Sequence, residues 1–366
     1  NGDLTGYTQK DSLGKIISKA TYTLDVLGRV SNEAVTYGEG ANAITRSFTR
    51  EWDADWNTTS IGYDNRKTVA EYANGQLKNI KTPDGKQIQI TKYNWMYPQT
   101  IQYPGSTRTQ NYDGYFRPSE IDVKSSKSQT LLKLGYQYTK NSNIASQSVE
   151  QQGISGKIDY QYDALDRLTQ ATPSQALADF GLPNEGYGYD AGGNRTSSSH
   201  QTGPWQYATG NRLVQKGDTS YTYTASGHMQ TATRAGVTRN YVYDGAQRLV
   251  QITEAGKNIS TYQYDPAGRR ISKTVGDGAS AQTTWYVYDA EGLSAEVNAA
   301  GATVKSYGWV PGTPWGTGPA WQQDHVDAQN QPYHFLHTDH LERPLAASDE
   351  AGNGTWQALS ESFGNT

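Results

Sequence analysis

One dipeptide organises this chain. Tyr-Asp occurs seven times, at Tyr63, Tyr112, Tyr162, Tyr189, Tyr243, Tyr264 and Tyr288, each followed by Asp. Five copies extend backwards to Tyr-x-Tyr-Asp, beginning at Tyr160, Tyr187, Tyr241, Tyr262 and Tyr286. Two degenerate copies, Tyr136-Gln-Tyr138-Thr139 and Tyr221-Thr-Tyr223-Thr224, fill gaps between them. From Tyr138 onward the second tyrosines step by 24, 27, 34, 20, 21 and 24 residues, and the long step divides into 18 and 16 when Tyr207 counts as a copy. A short, recurring period means one small supersecondary unit stacked many times.

The unit reads as a hairpin. In Tyr262-Gln-Tyr264-Asp265-Pro266-Ala267-Gly268-Arg269-Arg270-Ile271 the two tyrosines share one strand face. Asp, then Pro, then Gly three after the Asp is the residue order of a type I turn. The segments opening at Asp163, Asp190 and Asp244 repeat the plan, each with Arg near the exit: Arg167, Arg195 and Arg248. Tyr288-Asp289 opens another copy. A second, Gly-rich corner closes the other end at Glu254-Ala-Gly256, Asn298-Ala-Ala-Gly301 and Asp349-Glu-Ala-Gly352. Turn signals at this density between alternating strands indicate an all-β chain of antiparallel hairpins. Tyr22-Thr-Leu-Asp25 and Tyr72-Ala-Asn-Gly75 extend the same architecture, with decayed tyrosines, into the first 110 residues. The best helix candidate is Pro173–Gly181, with Thr172 as N-cap and Pro173 at the first turn.

Composition decides whether such a strip can fold. Leu, Ile, Val and Phe number only 55 of 366 residues, a level that signals disorder when net charge is high. Net charge here is −4, and 27 Tyr and 9 Trp supply the bulky apolar surface instead. Each buried aromatic hides about 150–250 Å², so the expectation is a folded, aromatic-rich protein. No apolar run is long enough to span a membrane as a helix. Asn1-Gly2-Asp3-Leu4 opens no signal peptide. The absence of Cys excludes disulfides, thiolate zinc sites and a Cys nucleophile. A pI near 5.9 without a basic patch argues against nucleic acid as a partner.

Candidate chemistry is sparse. The repeated Asp reads as a turn cap accepting backbone N–H groups; a catalytic pair would not need so many copies. His334, His337, Asp339 and His340 lie within seven residues, with His325 nearby, and imidazole plus carboxylate suits zinc or non-haem iron. Strand alternation places His337 and Asp339 on one face and His334 and His340 on the other, which does not converge three ligands. Asp53-Ala-Asp55-Trp-Asn57 starts like a calcium loop, but Thr58 stands where Gly is needed and Asp64 where a bidentate Glu is expected. The exit arginines (Arg29, Arg117, Arg167, Arg195, Arg212, Arg248, Arg269) read as a ladder pairing with neighbouring turn carboxylates. Trp309, Trp315 and Trp321 plug an irregular end of the sheet or stack on sugar rings. The sequons at Asn57, Asn194, Asn258 and Asn353 carry no weight. The expectation is no catalytic residue, no metal and no cofactor.

The Tyr-x-Tyr-Asp-x-x-Gly-Arg-Leu unit resembles the YD repeat of the Rhs (rearrangement hot spot) family. Its relatives include shell components of insecticidal toxin complexes and the teneurins. A second signature is similar to the Rhs core segment: Tyr333-His-Phe-Leu-His337-Thr338-Asp339-His340-Leu341, then Ala351-Gly352-Asn353-Gly354-Thr-Trp356 and Ser362-Phe363-Gly364. The resemblance implies a strip of antiparallel sheet spiralling into a hollow shell, or cocoon, incomplete in this chain. Residues 1–320 would form the YD-repeat shell and 321–366 the core segment continuing it. It implies a secreted or cell-surface protein of a bacterial polymorphic toxin. Its partners would be a polypeptide cargo (a C-terminal toxin), the remaining shell segments, and secretion-system or toxin-complex components. The family's aspartate-dependent self-cleavage motif, containing Asp-Pro-x-Gly-Leu, is not in these residues, which points to an excerpt or a cleaved piece. Glu342-Arg343-Pro344 stands where the family more often has Gly-Ser-Pro, a turn variation. A different reading is an extracellular adhesion or carbohydrate-binding module that presents its aromatics outward.

Overall fold

A chain of turn-separated aromatic strands with no long apolar helix has one way to satisfy its backbone, by pairing each strand with the next. The computed structural model describes residues 3–40, 43–200, 203 and 205–364. Their 32 strands follow that course, and strand occupies 59% of the chain against 3% helix. Each strand from Gly6–Lys10 to Arg195–Ser198 lies antiparallel to its sequence neighbours, giving a 17-stranded sheet. A second meander of 15 strands runs from Trp205–Ala208 to Gly354–Gln357. Neither sheet closes on itself.

The corners alternate between the two long edges of the strip. One edge carries most of the Asp corners, including those at Asp163, Asp190, Asp244 and Asp265. After Tyr264, Asp265 N–H donates to the Arg269 carbonyl and Gly268 N–H to the Asp265 carbonyl, both at 3.0 Å, while Gly268 takes φ +82°. This is a type I turn followed by a left-handed residue, and the pairing register shifts between Gln263 and Tyr264 as such a bulge requires. The opposite edge carries tighter turns such as Ala255-Gly256, together with capped corners of the wider form at Asp11 and Asp349.

Two sequence expectations shift here. Tyr63-Asp64 sits on the tight-turn edge: Tyr63 pairs directly with Arg66, and Asp64 is a left-handed turn residue (φ +52°). It is therefore not a copy of the repeat corner; that role falls to Trp52-Asp53 one strand earlier. The helix spans only Gln175–Asp179 and starts after Ser174, because Thr172 and Pro173 stay in the strand Leu168–Pro173, paired to Asp159 and Ile158. Residues 320 and 321 are neighbours within one strand, Pro319–Asp324.

The tyrosine face of the first sheet meets the second sheet in buried clusters. Ala20, Val35, Tyr37, Phe48 and Tyr63 pack against Ile271, Val287, Ala295 and Val297. Ile121, Val123, Leu132 and Leu134 pack against Leu345 and Ala346, and Ile80 and Ile88 against Trp321, Tyr333 and Phe335. A fourth cluster joins Ile154, Ile158 and Leu177, with Leu359 against it. Burying each such aliphatic side chain contributes about 1.5–3 kcal/mol. Between Trp205 and Ile271, by contrast, no described apolar side chain is buried. Among the described residues from Gln206 to Ile259 no side chain, apolar or polar, is buried, whereas Ser260 and Asp265, nearer Ile271, are.

Candidate functional site

The repeated corner is the most elaborated chemical feature of the molecule. Asp163 Oδ1 accepts from Leu165 N (2.9 Å) and Arg167 N (3.0 Å), and its Oδ2 from Arg167 Nε (2.7 Å). Asp244 does the same with Ala246 and Arg248. Asp265 bonds Arg269 through N and Nε, and Asp190 holds Asn194 through N and Nδ2. These hydrogen bonds hold the Asp163, Asp190 and Asp244 carboxyls below the usual carboxylate range, against a desolvation that pushes the other way. Asp289 departs from the pattern. Its corner is shorter, its carboxylate faces Glu291 N and Gly292 N, and burial raises its pKa.

Arg29, Arg117, Arg167, Arg248 and Arg269 pair within their own corners rather than with a neighbouring one, correcting the inter-turn ladder, while Arg195 lies over Tyr187 and Trp205 and Arg212 donates to the Thr209 carbonyl. What reaches the next repeat is the other side of the guanidinium. Arg167 Cζ lies 4.7 Å from the Tyr189 ring centroid, Arg248 5.1 Å from Tyr264, and Arg269 5.3 Å from Tyr288. Arg167 and Arg248 also donate to the carbonyls of Asp190 and Asp265. Each guanidinium thus bonds in-plane to its own Asp and stacks on the following tyrosine.

A second link was not visible in the sequence. The Tyr162 hydroxyl donates to the Ile144 carbonyl (2.9 Å), Tyr189 to Leu168 (2.7 Å), Tyr243 to Met229 (2.9 Å) and Tyr288 to Arg270 (3.0 Å). In each case the acceptor lies six residues beyond the previous signature tyrosine. The series is unbroken from Tyr72 through Tyr93, Tyr112, Tyr138, Tyr207, Tyr223 and Tyr264, and ends at Trp309, whose indole N–H donates to Leu293. Tyr207 donates to Arg195 and so carries the series across the break between the sheets. Burial raises the pKa of Tyr162, Tyr189 and Tyr264, and that of Tyr112 to about 12. These hydroxyls are therefore committed to the backbone.

The remaining candidates disperse. The Asp53 loop is a repeat corner: Asp53 caps Asp55 N and Asn57 N, and Asn57 Nδ2 bonds its carboxylate, so its oxygens serve the backbone and Asn57. Asn57, Asn194 and Asn353 all stand where other corners have Arg. The histidine segment is also a corner. Thr338 takes the tyrosine position, Asp339 caps Leu341 N and Arg343 N, and Arg343 pairs with Asp339 at 3.0 Å. His337 is fully buried with Nε2 on Ser348 Oγ, while His334 points to Thr355 and His325 to Ser306. His340 lies edge-on against Tyr136. These imidazoles face different neighbours and build no common metal centre. Leu341 is exposed at the corner tip. Of the three tryptophans, Trp321 is core, Trp309 ends the hydroxyl series and Trp315 lies exposed beside Tyr288.

Comparisons with known proteins agree with this geometry. The family description Teneurin YD-shell matches residues 73–297. Double-stranded DNA deaminase toxin A of Burkholderia cenocepacia is 29% identical over 235 residues, covering 58% of this chain and 16% of that protein. Toxin protein Tse5 of Pseudomonas aeruginosa is 28% identical over 242 residues, covering 56% and 18% respectively. This chain thus spans less than a fifth of these relatives. Among solved structures, a Photorhabdus luminescens Tc holotoxin pore superposes with TM-score 0.71 at 16% identity, over 96% of this chain and 20% of that one. The TcdB2-TccC3 crystal structure gives TM-score 0.71 at 16% identity, over 98% and 22%. No described helix is long and apolar enough to cross a membrane. The corner chemistry, the tyrosine series and the family match together make this chain a member of the YD-repeat shell family to which Rhs-type toxins belong.

Proposed function

We propose that this chain is a non-catalytic segment of a shell that encloses a polypeptide effector until delivery from the producing bacterium. One observation carries the reading. The tyrosine face of the second sheet, buried against the first sheet from Ile271 onward, is left uncovered from Thr219 to Glu254, where Tyr221, Ala232, Val237 and Tyr241 line an open groove. A two-faced, uncovered sheet with free edges is incomplete by itself, and remaining shell turns or an enclosed chain would complete it. The relatives' names describe toxins, and the matched shell portion is a small part of each, which supports an effector lying outside it. The repeat carboxylates are each committed to turn donors, which supports a structural role for them.

The test is native mass spectrometry of the whole gene product, followed by tyrosine labelling with a small diffusible reagent. Shell and effector should travel as one complex, and Tyr221 and Tyr241 should be protected in it. An adhesion module would instead appear without a second polypeptide, with both tyrosines labelled. That result would replace the shell reading.

A further inference from the structure

We propose that Glu185, His200 and Glu361 form a site for a first-row divalent transition metal that staples the C-terminal segment to the end of the first sheet. One ligand atom from each of the three lies within 4.8 Å of the others, and among the described residues no other such cluster exists. His200 Nε2 and Glu361 Oε2 stand 2.9 Å apart. Ligands at about 2.0–2.2 Å from one tetrahedral zinc stand roughly 3.3–3.6 Å from each other, so small side-chain shifts place an ion between all three.

Two further features distinguish this cluster from an ordinary ion pair. Glu185 is buried, yet it accepts only from neutral donors: the Tyr187 hydroxyl, Ser362 N at 3.0 Å and Ser362 Oγ at 3.2 Å. Among the described residues no lysine or arginine forms an ion pair with it. The neighbouring Arg195 lies over the Tyr187, Trp205 and Phe363 rings instead. His200 is paired with Glu361, and Glu185 brings a second carboxylate within 4.8 Å of the same group, a donor set that a divalent cation would neutralise. The surroundings also match an outer coordination layer. His200 Nδ1 is 3.1 Å from Ser198 Oγ, a partner that fixes the ring and leaves Nε2 to the metal. The Glu185 carboxylate is oriented by Tyr187 and Ser362.

The site joins residues far apart in the chain. Glu185 opens the strand Glu185–Tyr189, and His200 follows the strand Arg195–Ser198. Glu361 lies in the last described stretch, beside Phe363, whose ring packs edge-on to Tyr187 at 4.9 Å. An ion there would fix residues 359–363 over the end of the sheet. An imidazole donor favours zinc, copper, nickel or iron(II) over manganese, magnesium or calcium.

The experiment titrates the chelator-treated, tag-free chain with zinc chloride, read by calorimetry and native mass spectrometry, with hydrogen exchange of residues 354–364 as a second readout. One ion per chain is expected, with slower exchange in that segment and no displacement by millimolar magnesium. His200→Asn and Glu361→Gln, which lie at the rim and should leave the fold intact by circular dichroism, should each weaken binding by more than the roughly tenfold loss expected for Ser198→Ala. Absence of saturable zinc binding, equal binding by both rim variants, or ready displacement by magnesium would each overturn the site.

Discussion

The Tyr264 hydroxyl donates to the Leu249 carbonyl at 2.8 Å, tying the end of one hairpin to the start of the strand before it. A neutral hydrogen bond of this kind contributes about 0.5–1.5 kcal/mol. Because the bond recurs between successive repeats, its effect is a nearest-neighbour coupling of the sort that governs repeat arrays. Tyr264→Phe should therefore cost about 1 kcal/mol in urea unfolding and speed hydrogen exchange around residues 249–252 and 262–264. Exchange at Leu132 and Leu134, far along the other sheet, should stay unchanged. A uniform rise in exchange would contradict the coupling.

Corner carboxylates should differ in importance according to burial. Asp265 is 1% exposed and holds Arg269 through Nε at 2.6 Å. Removing one partner of a buried pair costs about 3–5 kcal/mol. The Asp163–Arg167 corner, with the same Asp–Arg pair, is solvent-screened, its side chains 24% and 26% exposed, so about 1–2 kcal/mol is expected there. Chemical denaturation of Asp265→Ala and Asp163→Ala measures the difference directly, and equal losses would refute the burial argument.

Acid stability should reflect the buried histidine. Burial, and then the nearby Arg108 guanidinium, lower the His337 pKa to about 3. An unfolded imidazole titrates near 6.5. Between those values the unfolded chain binds the extra proton, so stability present above about pH 6.5 declines as pH falls toward 3. His325 and His340 shift in the same direction, both chiefly through desolvation. His337→Gln should flatten the stability profile between about pH 6.5 and 4, above the range where corner carboxylates contribute. Arg108→Met should restore only part of the pKa, because burial is the larger cause. A profile unchanged by His337→Gln would exclude this imidazole as the titrating group.

Much of this architecture was legible because the repeat is local. Tyr-x-Tyr-Asp fixes strand, face and turn within about ten residues, so hairpin order could be read without knowing any long-range contact. The hydroxyl series was not legible, because spacing alone does not say where the Tyr264 hydroxyl points. The Trp52-Asp53 and Thr338-Asp339 corners were obscured for a related reason: the turn needs the carboxylate, and the preceding aromatic can be replaced. Tyr63-Asp64 misled in the opposite direction, since the dipeptide also suits a tight turn. The Glu185–His200–Glu361 cluster lay beyond sequence reading altogether. Its members are separated by 176 residues and meet only when the C-terminal segment folds back.

The meeting of the two sheets depends on a close backbone approach at Gly105 and Gly352. A methyl group added at Gly105 would lie 2.2 Å from Gly352 N and 2.6 Å from the Glu350 carbonyl oxygen, and Gly105 has φ +70°. Gly256 has nearly the same conformation, φ +78°, with nothing within 4 Å of the equivalent position. Alanine at either site incurs the left-handed strain of about 1–2 kcal/mol, so the two variants differ mainly in the clash. Gly256→Ala should lose only that amount. Gly105→Ala should lose more, because the backbone of residues 350–352 must move and the nearby Lys86–Glu350 pair and the Lys127 contact to Asn353 move with it. Denaturation midpoints give the energies, and hydrogen exchange at residues 344–357 shows whether the second sheet has lifted. Equal losses, with no change in that segment, would show that the sheets tolerate separation at this point and that the buried clusters alone hold them together.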